Sequence, residues 1–128
     1  MDDHGPLTTR VLEYQDLTKR LAPSARTPED WAPLAELVAV EEFQRVGTFL
    51  EVQTWPEYTE MLTRWGAGID RFDTTVRRVD ELPRRVYFEV EERHHRGSAF
   101  TVVNSLSVFE FNEESKISRL DVYLQQAR

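Results

Sequence analysis

Residues 97–126 read Gly97-Ser98, then Ala99-Phe100-Thr101-Val102-Val103-Asn104-Ser105-Leu106-Ser107-Val108-Phe109-Glu110-Phe111, then Asn112-Glu113-Glu114-Ser115-Lys116, then Ile117-Ser118-Arg119-Leu120-Asp121-Val122-Tyr123-Leu124-Gln125-Gln126. Both long runs are rich in β-branched and aromatic residues, and a polar turn separates them, which marks two antiparallel strands. A third strand over residues 84–96 precedes them: Val86, Phe88 and Val90 alternate with Tyr87, Glu89 and Glu91. Gly97-Ser98 has the form of a two-residue hairpin turn.

With that turn, Arg96 pairs with Ala99 and the register of the whole hairpin follows, because side chains repeat with period two. One face collects Val86, Phe88, Val90, Glu92 and His94 with Thr101, Val103, Ser105, Ser107 and Phe109. The other collects Tyr87, Glu89, Glu91, Arg93 and His95 with Phe100, Val102, Asn104, Leu106 and Val108. The first face has fewer charges and is expected to face the core, joined by Leu120, Val122 and Leu124 of the last strand. The second face is also partly apolar, which predicts a partner covering it. A homodimer through the outer sheet face is the expectation.

Upstream, Leu7, Val11, Tyr14, Leu17 and Leu21 recur at steps of three or four, one face of a helix that Thr8 or Thr9 would cap. Thr27-Pro28-Glu29-Asp30 opens a second helix with Trp31, Leu34, Ala35 and Val38 on its apolar face. Residues 39–53 read as extended, broken at Gly47. Thr54-Trp55-Pro56-Glu57 is a capping box that starts a third helix, which stops near Gly66-Ala67-Gly68. Phe72, Thr74 and Val76 then begin an alternating strand, and Leu82-Pro83 makes a turn. Helices first and a four-stranded meander after them predict an α+β fold, with an antiparallel sheet covered by helices on one face.

A length of 128 residues predicts one domain over residues 1–128, with residues 1–6 as a flexible tail. The net charge is −7, and no basic face of the kind nucleic acid needs is present. The chain has no cysteine, so disulfides and thiolate metal sites are excluded. No apolar run approaches a membrane span and the N-terminus lacks a signal-peptide core, so a cytoplasmic location away from the membrane is expected. His94 and His95 are adjacent and point to opposite faces of a strand, a poor start for a metal site. Neither metal nor cofactor is expected.

The chain resembles the nuclear-transport-factor-2-like superfamily, particularly its SnoaL-like branch of small bacterial proteins. Three N-terminal helices precede the sheet, and the ending carries the most specific likeness: a strand finishing Phe109-Glu110-Phe111, a turn, then Lys116-Ile117, Leu120 and Tyr123-Leu124. The resemblance implies a cone-shaped pocket between the helices and a curved sheet, and frequent dimerisation. It also implies a range of activities, including isomerase, cyclase, dehydratase and epoxide hydrolase. In the ketosteroid isomerases of this superfamily a tyrosine on the first helix donates to the oxyanion, and Tyr14 falls near that place. The stretch matching the general-base aspartate is Gln44-Arg45-Val46-Gly47, Ser107 matches a protonated aspartate, and Gln125 stands where several relatives end in Tyr-x-Asp. Most of the best-known chemistry therefore does not carry over.

The residues themselves offer a smaller set. Glu92 and His94 share the proposed inner face, where a carboxylate beside an imidazole can act as an acid–base pair. The duller reading is surface charge at the wet end of a strand. Tyr14 is either a hydrogen-bond donor to a ligand carbonyl or a core residue with its hydroxyl satisfied. Ser105 and Ser107 either bind a polar group or are small core residues. Phe88, Val90 and Phe109 from the sheet, with Trp55 and Tyr58 from the third helix, are expected to line an apolar pocket. The functional expectation is a small-molecule pocket. It either supports lyase, isomerase or cyclase chemistry on an apolar carbonyl or hydroxy compound, or belongs to a non-catalytic ligand-binding or assembly module.

Overall fold

A computed structural model describes residues 5–127. Helix α1 (Pro6–Leu21) has Gly5 at its N-cap and Pro6 in its first turn, so it starts before Thr8 and Thr9. Pro6 thus belongs to the helix and not to the expected tail, whose residues 1–4 lie outside the described residues. The cap comes from far along the chain. The Glu81 carboxylate accepts from the Thr8 amide at 2.8 Å, the Thr8 hydroxyl at 2.6 Å and the Leu7 amide at 3.4 Å. These contacts satisfy first-turn N–H groups that have no partner within the helix.

A 3₁₀ turn (Pro28–Trp31) runs into the single-turn helix α2 (Ala32–Ala35). Asp30 accepts from the Thr27 amide at 3.1 Å, and the fully buried Trp31 donates from Nε1 to Thr63 Oγ1 at 3.1 Å. The capping box expected at Thr54 forms. The Glu57 amide donates to Thr54 Oγ1 at 3.4 Å and the Thr54 amide donates to Glu57 Oε1 at 2.9 Å, opening helix α3 (Trp55–Gly66). Gly66 ends α3 where the end of α1 passes: a Cβ there would stand 2.7 Å from the Ala22 carbonyl oxygen.

The sheet has six strands, β1 (Gln44–Val46), β2 (Val52–Gln53), β3 (Arg71–Leu82), β4 (Arg85–Arg96), β5 (Ala99–Phe111) and β6 (Ile117–Gln126). They run in the order β2-β1-β6-β5-β4-β3, and the sheet is open. The β4–β5 ladder keeps one register from Arg96↔Ala99 to Arg85↔Glu110, as the Gly97-Ser98 turn predicts. Leu120, Val122 and Leu124 pair with Phe109, Ser107 and Ser105 and complete the inner face. The first hairpin turn falls on Pro83-Arg84, one residue later than expected, with Arg84 in the left-handed region at φ 65°.

Two features differ from the sequence expectation. The sheet is mixed, because β1 pairs parallel to β6 through Arg45↔Leu120 and its neighbours. The direction is set just upstream, where the Ala39 amide donates to the Ile117 carbonyl and the Ile117 amide donates to the Leu37 carbonyl, both at 2.9 Å. Secondly, a bulge interrupts β3, since Val76 faces Val90 but Arg78 faces Glu89. The extra residue, Arg77, exchanges the faces of β3 beyond it. Val79 and Glu81 turn inward, and that turn aims Glu81 at α1.

Helices and inner sheet face enclose a core that includes Val11, Leu34 and Leu62 on one side and Val86, Phe88, Val90 and Phe109 on the other. Among the described residues no helix is long and apolar enough to cross a membrane.

Candidate functional site

The inner face does not pack fully against the helices. A cavity of about 250 Å³ remains between them. Its floor is Phe88 and Val90 of β4, Ser105, Ser107 and Phe109 of β5, and Val122 and Leu124 of β6. Tyr14 and Thr18 of α1 and Tyr58, Met61 and Trp65 of α3 form the opposite wall. The two serines help explain why space exists: each lies between larger cross-strand partners, Ser105 between Val90 and Leu124 and Ser107 between Phe88 and Val122. Ser105 is buried, and its Oγ lies 3.4 Å from that of Ser107.

Glu92 and His94 meet at the cavity. His94 Nε2 is 2.9 Å from Glu92 Oε1, and the side chains are only 12% and 17% exposed. They are therefore not the wet surface charges of the duller reading. The imidazole is held edge-on between Trp65 and Phe72, with ring centroids at 5.5 and 5.1 Å. A carboxylate that only accepts would, in the neutral imidazole, hold the ring proton on Nε2 and leave Nδ1 as the acceptor. Among the described residues Nδ1 has no hydrogen-bond partner.

The strand end that carries His94 is tied to helix α3. Arg96 donates to the Trp65 carbonyl from Nη2 and to the Ala67 carbonyl from Nη1, both at 2.7 Å. Asp70 accepts from the Gly97 amide at the hairpin tip.

Tyr14 and Tyr58 form a second polar group. Their hydroxyls are 2.7 Å apart, and both rings are buried. Phe109 meets Tyr14 edge-on at 5.3 Å. Burial pushes the Tyr14 phenol well above its ordinary value, and Tyr58 adds to the shift. Burial also raises Tyr58, with the Arg45 guanidinium pulling the other way. Both phenols thus keep their protons at neutral pH. One proton is used between them, which leaves the other hydroxyl proton to donate elsewhere.

Of the residues expected from sequence, Tyr14, Tyr58, Phe88, Val90, Glu92, His94, Ser105, Ser107 and Phe109 all line this cavity. Trp55 does not. It is a core aromatic, edge-on to Phe43 at 5.4 Å and to Tyr58 at 5.8 Å, because the first turn of α3 packs on the segment before β1. Gln125 pairs with Asn104 on the outer face, and Gln126 lines the cavity instead. The residue missed is Arg45, which is buried, lines the cavity and lies with its guanidinium carbon 5.3 Å from the centre of the Tyr58 ring. The spacing of two from Phe43 was the available signal, since on a strand it puts both on one face.

No protein-family profile matches the chain, and no curated protein matches it in sequence. Solved structures do match its shape. A Shewanella putrefaciens protein designated a SnoaL-like polyketide cyclase superposes with a TM-score of 0.77 at 9% identity, over 95% of this chain and 81% of that one. An NTF2-like protein from Anabaena variabilis gives 0.75 at 12% identity, over 99% and 96% of the two chains. An epoxide hydrolase from M. tuberculosis, of the type abbreviated LEH-like, gives 0.66 at 13% identity, over 91% and 84%. Identities this low carry the fold and no chemistry. The architecture, the meander and these superpositions together establish that the chain has the nuclear-transport-factor-2-like α+β fold, with SnoaL-like proteins among its structural neighbours.

Proposed function

We propose that the protein binds a small, largely apolar carbonyl or hydroxy compound in the cavity and acts on it by acid–base chemistry of the lyase, isomerase or cyclase type. The observation that carries this reading is the Glu92–His94 contact at 2.9 Å on the cavity wall. Glu92 fixes the imidazole, His94 Nδ1 takes a proton from the ligand, and the spare proton of the Tyr14–Tyr58 pair stabilises charge that develops on oxygen. The polyketide cyclase and epoxide hydrolase names of two structural neighbours fit a cavity that does chemistry.

The reading is tested by following exchange of the α-hydrogens of small cyclic ketones in heavy water by NMR. Wild-type protein should accelerate exchange, and Glu92→Gln should cut that acceleration by about 10²- to 10⁴-fold. Equal rates for the two proteins would remove Glu92 from the chemistry. Absence of exchange with the wild type would favour a second reading, a ligand-binding or assembly module without catalysis. One observation favours that alternative: among the described residues Glu92 is the sole carboxylate on the cavity, and it is engaged by His94.

A homodimer through the outer sheet face is part of the proposal. Phe100, Val102, Leu106 and Tyr123 stay exposed there, beside a stacked His95–Phe100 pair with ring centroids 5.3 Å apart. A contiguous apolar patch on a sheet face is the kind of surface that a second subunit covers. The absence of cysteine suits the reducing cytoplasm as the place where the protein works.

A further inference from the structure

Arg45 is the charge on the cavity that acid–base chemistry leaves unused. The residue is 8% exposed and sits on the short strand β1. Among the described residues its hydrogen bonding is confined to Nη1, which donates to Gln53 Oε1 at 3.0 Å. The nearest carboxylate, Glu51, is 3.6 Å from the same nitrogen, and its side chain is 44% exposed. Among the described residues Nε and Nη2 have no acceptor. The side chain lines the cavity, so its remaining donors adjoin the space a ligand would fill.

An almost buried guanidinium with an incomplete set of acceptors is costly unless something else completes it. The unused Nε and Nη2 donors form the planar fork that grips the two oxygens of a carboxylate. Beneath the guanidinium lies Tyr58, whose hydroxyl shares a single hydrogen bond with Tyr14.

The geometry points to Arg45 as the specificity-determining residue of the cavity: its ligand is a small carboxylic acid whose carboxylate pairs with Arg45 and whose apolar body lies over Phe88, Val90 and Phe109. The volume, about 250 Å³, falls just under the ~300–1,000 Å³ of pockets for drug-sized ligands, so the body is of the order of one or two fused rings. This inference rests on the reading of the cavity as a small-molecule site, and it is independent of whether Glu92 and His94 do chemistry there.

The test is isothermal titration calorimetry of the full chain with 2-naphthoate and with its neutral isostere 2-naphthamide. Wild-type protein should bind the carboxylate about tenfold or more tightly than the amide, as a charge-assisted bidentate contact requires. Arg45→Met should erase that preference, and Arg45→Lys should keep only part of it. Glu51→Gln, which removes the competing carboxylate, should enlarge it. No preference in the wild type, no binding of naphthoate at millimolar concentration, or a preference that survives Arg45→Met would each overturn the inference. Should Arg45→Met fail to fold by circular dichroism, a preference left unchanged by both Arg45→Lys and Glu51→Gln would overturn it as well. Glu92→Gln should leave the preference intact while depressing exchange, so failure of the anion site and failure of the acid–base reading give different patterns.

Discussion

Replacing Glu81 with Gln tests the most unusual contact in the fold, a helix start capped from a strand. Glu81 holds the Thr8 amide and hydroxyl and reaches the Leu7 amide. Burial opposes its ionisation, but the bonds from Thr8 and Leu7 prevail and hold the carboxyl below its ordinary value. Charge near a helix N-terminus contributes roughly 0.3–1 kcal/mol, and charge-assisted hydrogen bonds are about twice as strong as neutral ones worth ~1 kcal/mol. Glu81 is partly exposed, so solvent screening selects the lower end, about 1.5 kcal/mol lost in Glu81→Gln at pH 7. For a chain of this length that corresponds to a fall in Tm of roughly 6 °C.

The sign of the pH dependence follows from the depressed value. Folding favours the ionised form, so the stabilisation is fully present above the unfolded-state value of about 4.3. It is lost as the pH falls through the lower folded value, where wild-type Glu81 becomes protonated and resembles Gln. Denaturant titrations of the two proteins from pH 7 down to about pH 3 should therefore converge. A difference of the same size throughout, or none at pH 7, would refute the cap.

Gly66→Ala should destabilise the fold by about 1–3 kcal/mol in a thermal melt, because the new Cβ meets the Ala22 carbonyl oxygen at 2.7 Å, a backbone atom that cannot swing aside. Tyr58→Phe should lower stability by about 1–2 kcal/mol, since the buried Tyr14 hydroxyl loses its partner; a neutral result in denaturant melts would mean that the pair adds nothing to stability. Phe100→Glu on the outer face should shift native mass spectra from dimer to monomer, and a monomeric wild type at micromolar concentration would remove the proposed interface.

The part of the fold that was legible is the part whose geometry is local. A two-residue turn at Gly97-Ser98 and strict alternation fix twelve cross-strand pairs at once, down to Arg85↔Glu110. That register alone brings Glu92, His94, Ser105, Ser107 and Phe109 onto one surface. The parallel strand β1 was not legible, because alternation has no sign and reads the same in either direction. The bulge at Arg77 has no side-chain signature, and so the inward turn of Glu81 was hidden with it. Trp55 looked like a ligand contact because an aromatic on a capped helix start reads alike whether it meets a cavity or Phe43. Arg45 carries only one weak signal, its spacing of two from Phe43, because a three-residue strand is too short to show a period.

The ties between the β4–β5 hairpin and α3 have a dynamic consequence. Arg96 closes the last turn of α3 by binding the Trp65 and Ala67 carbonyls, and Asp70 holds the hairpin tip. The residue that caps the helix is two positions from His94, on the same strand. Fraying of the helix end and outward swing of the tip are then one event, not two. In native-state hydrogen exchange, amides of the final α3 turn and of residues 94–98 should open with a common free energy and move together when Arg96 is replaced by Ala. Movement of the imidazole away from Trp65 would be part of that same opening, which ties the mobility of one cavity wall to the stability of a helix terminus.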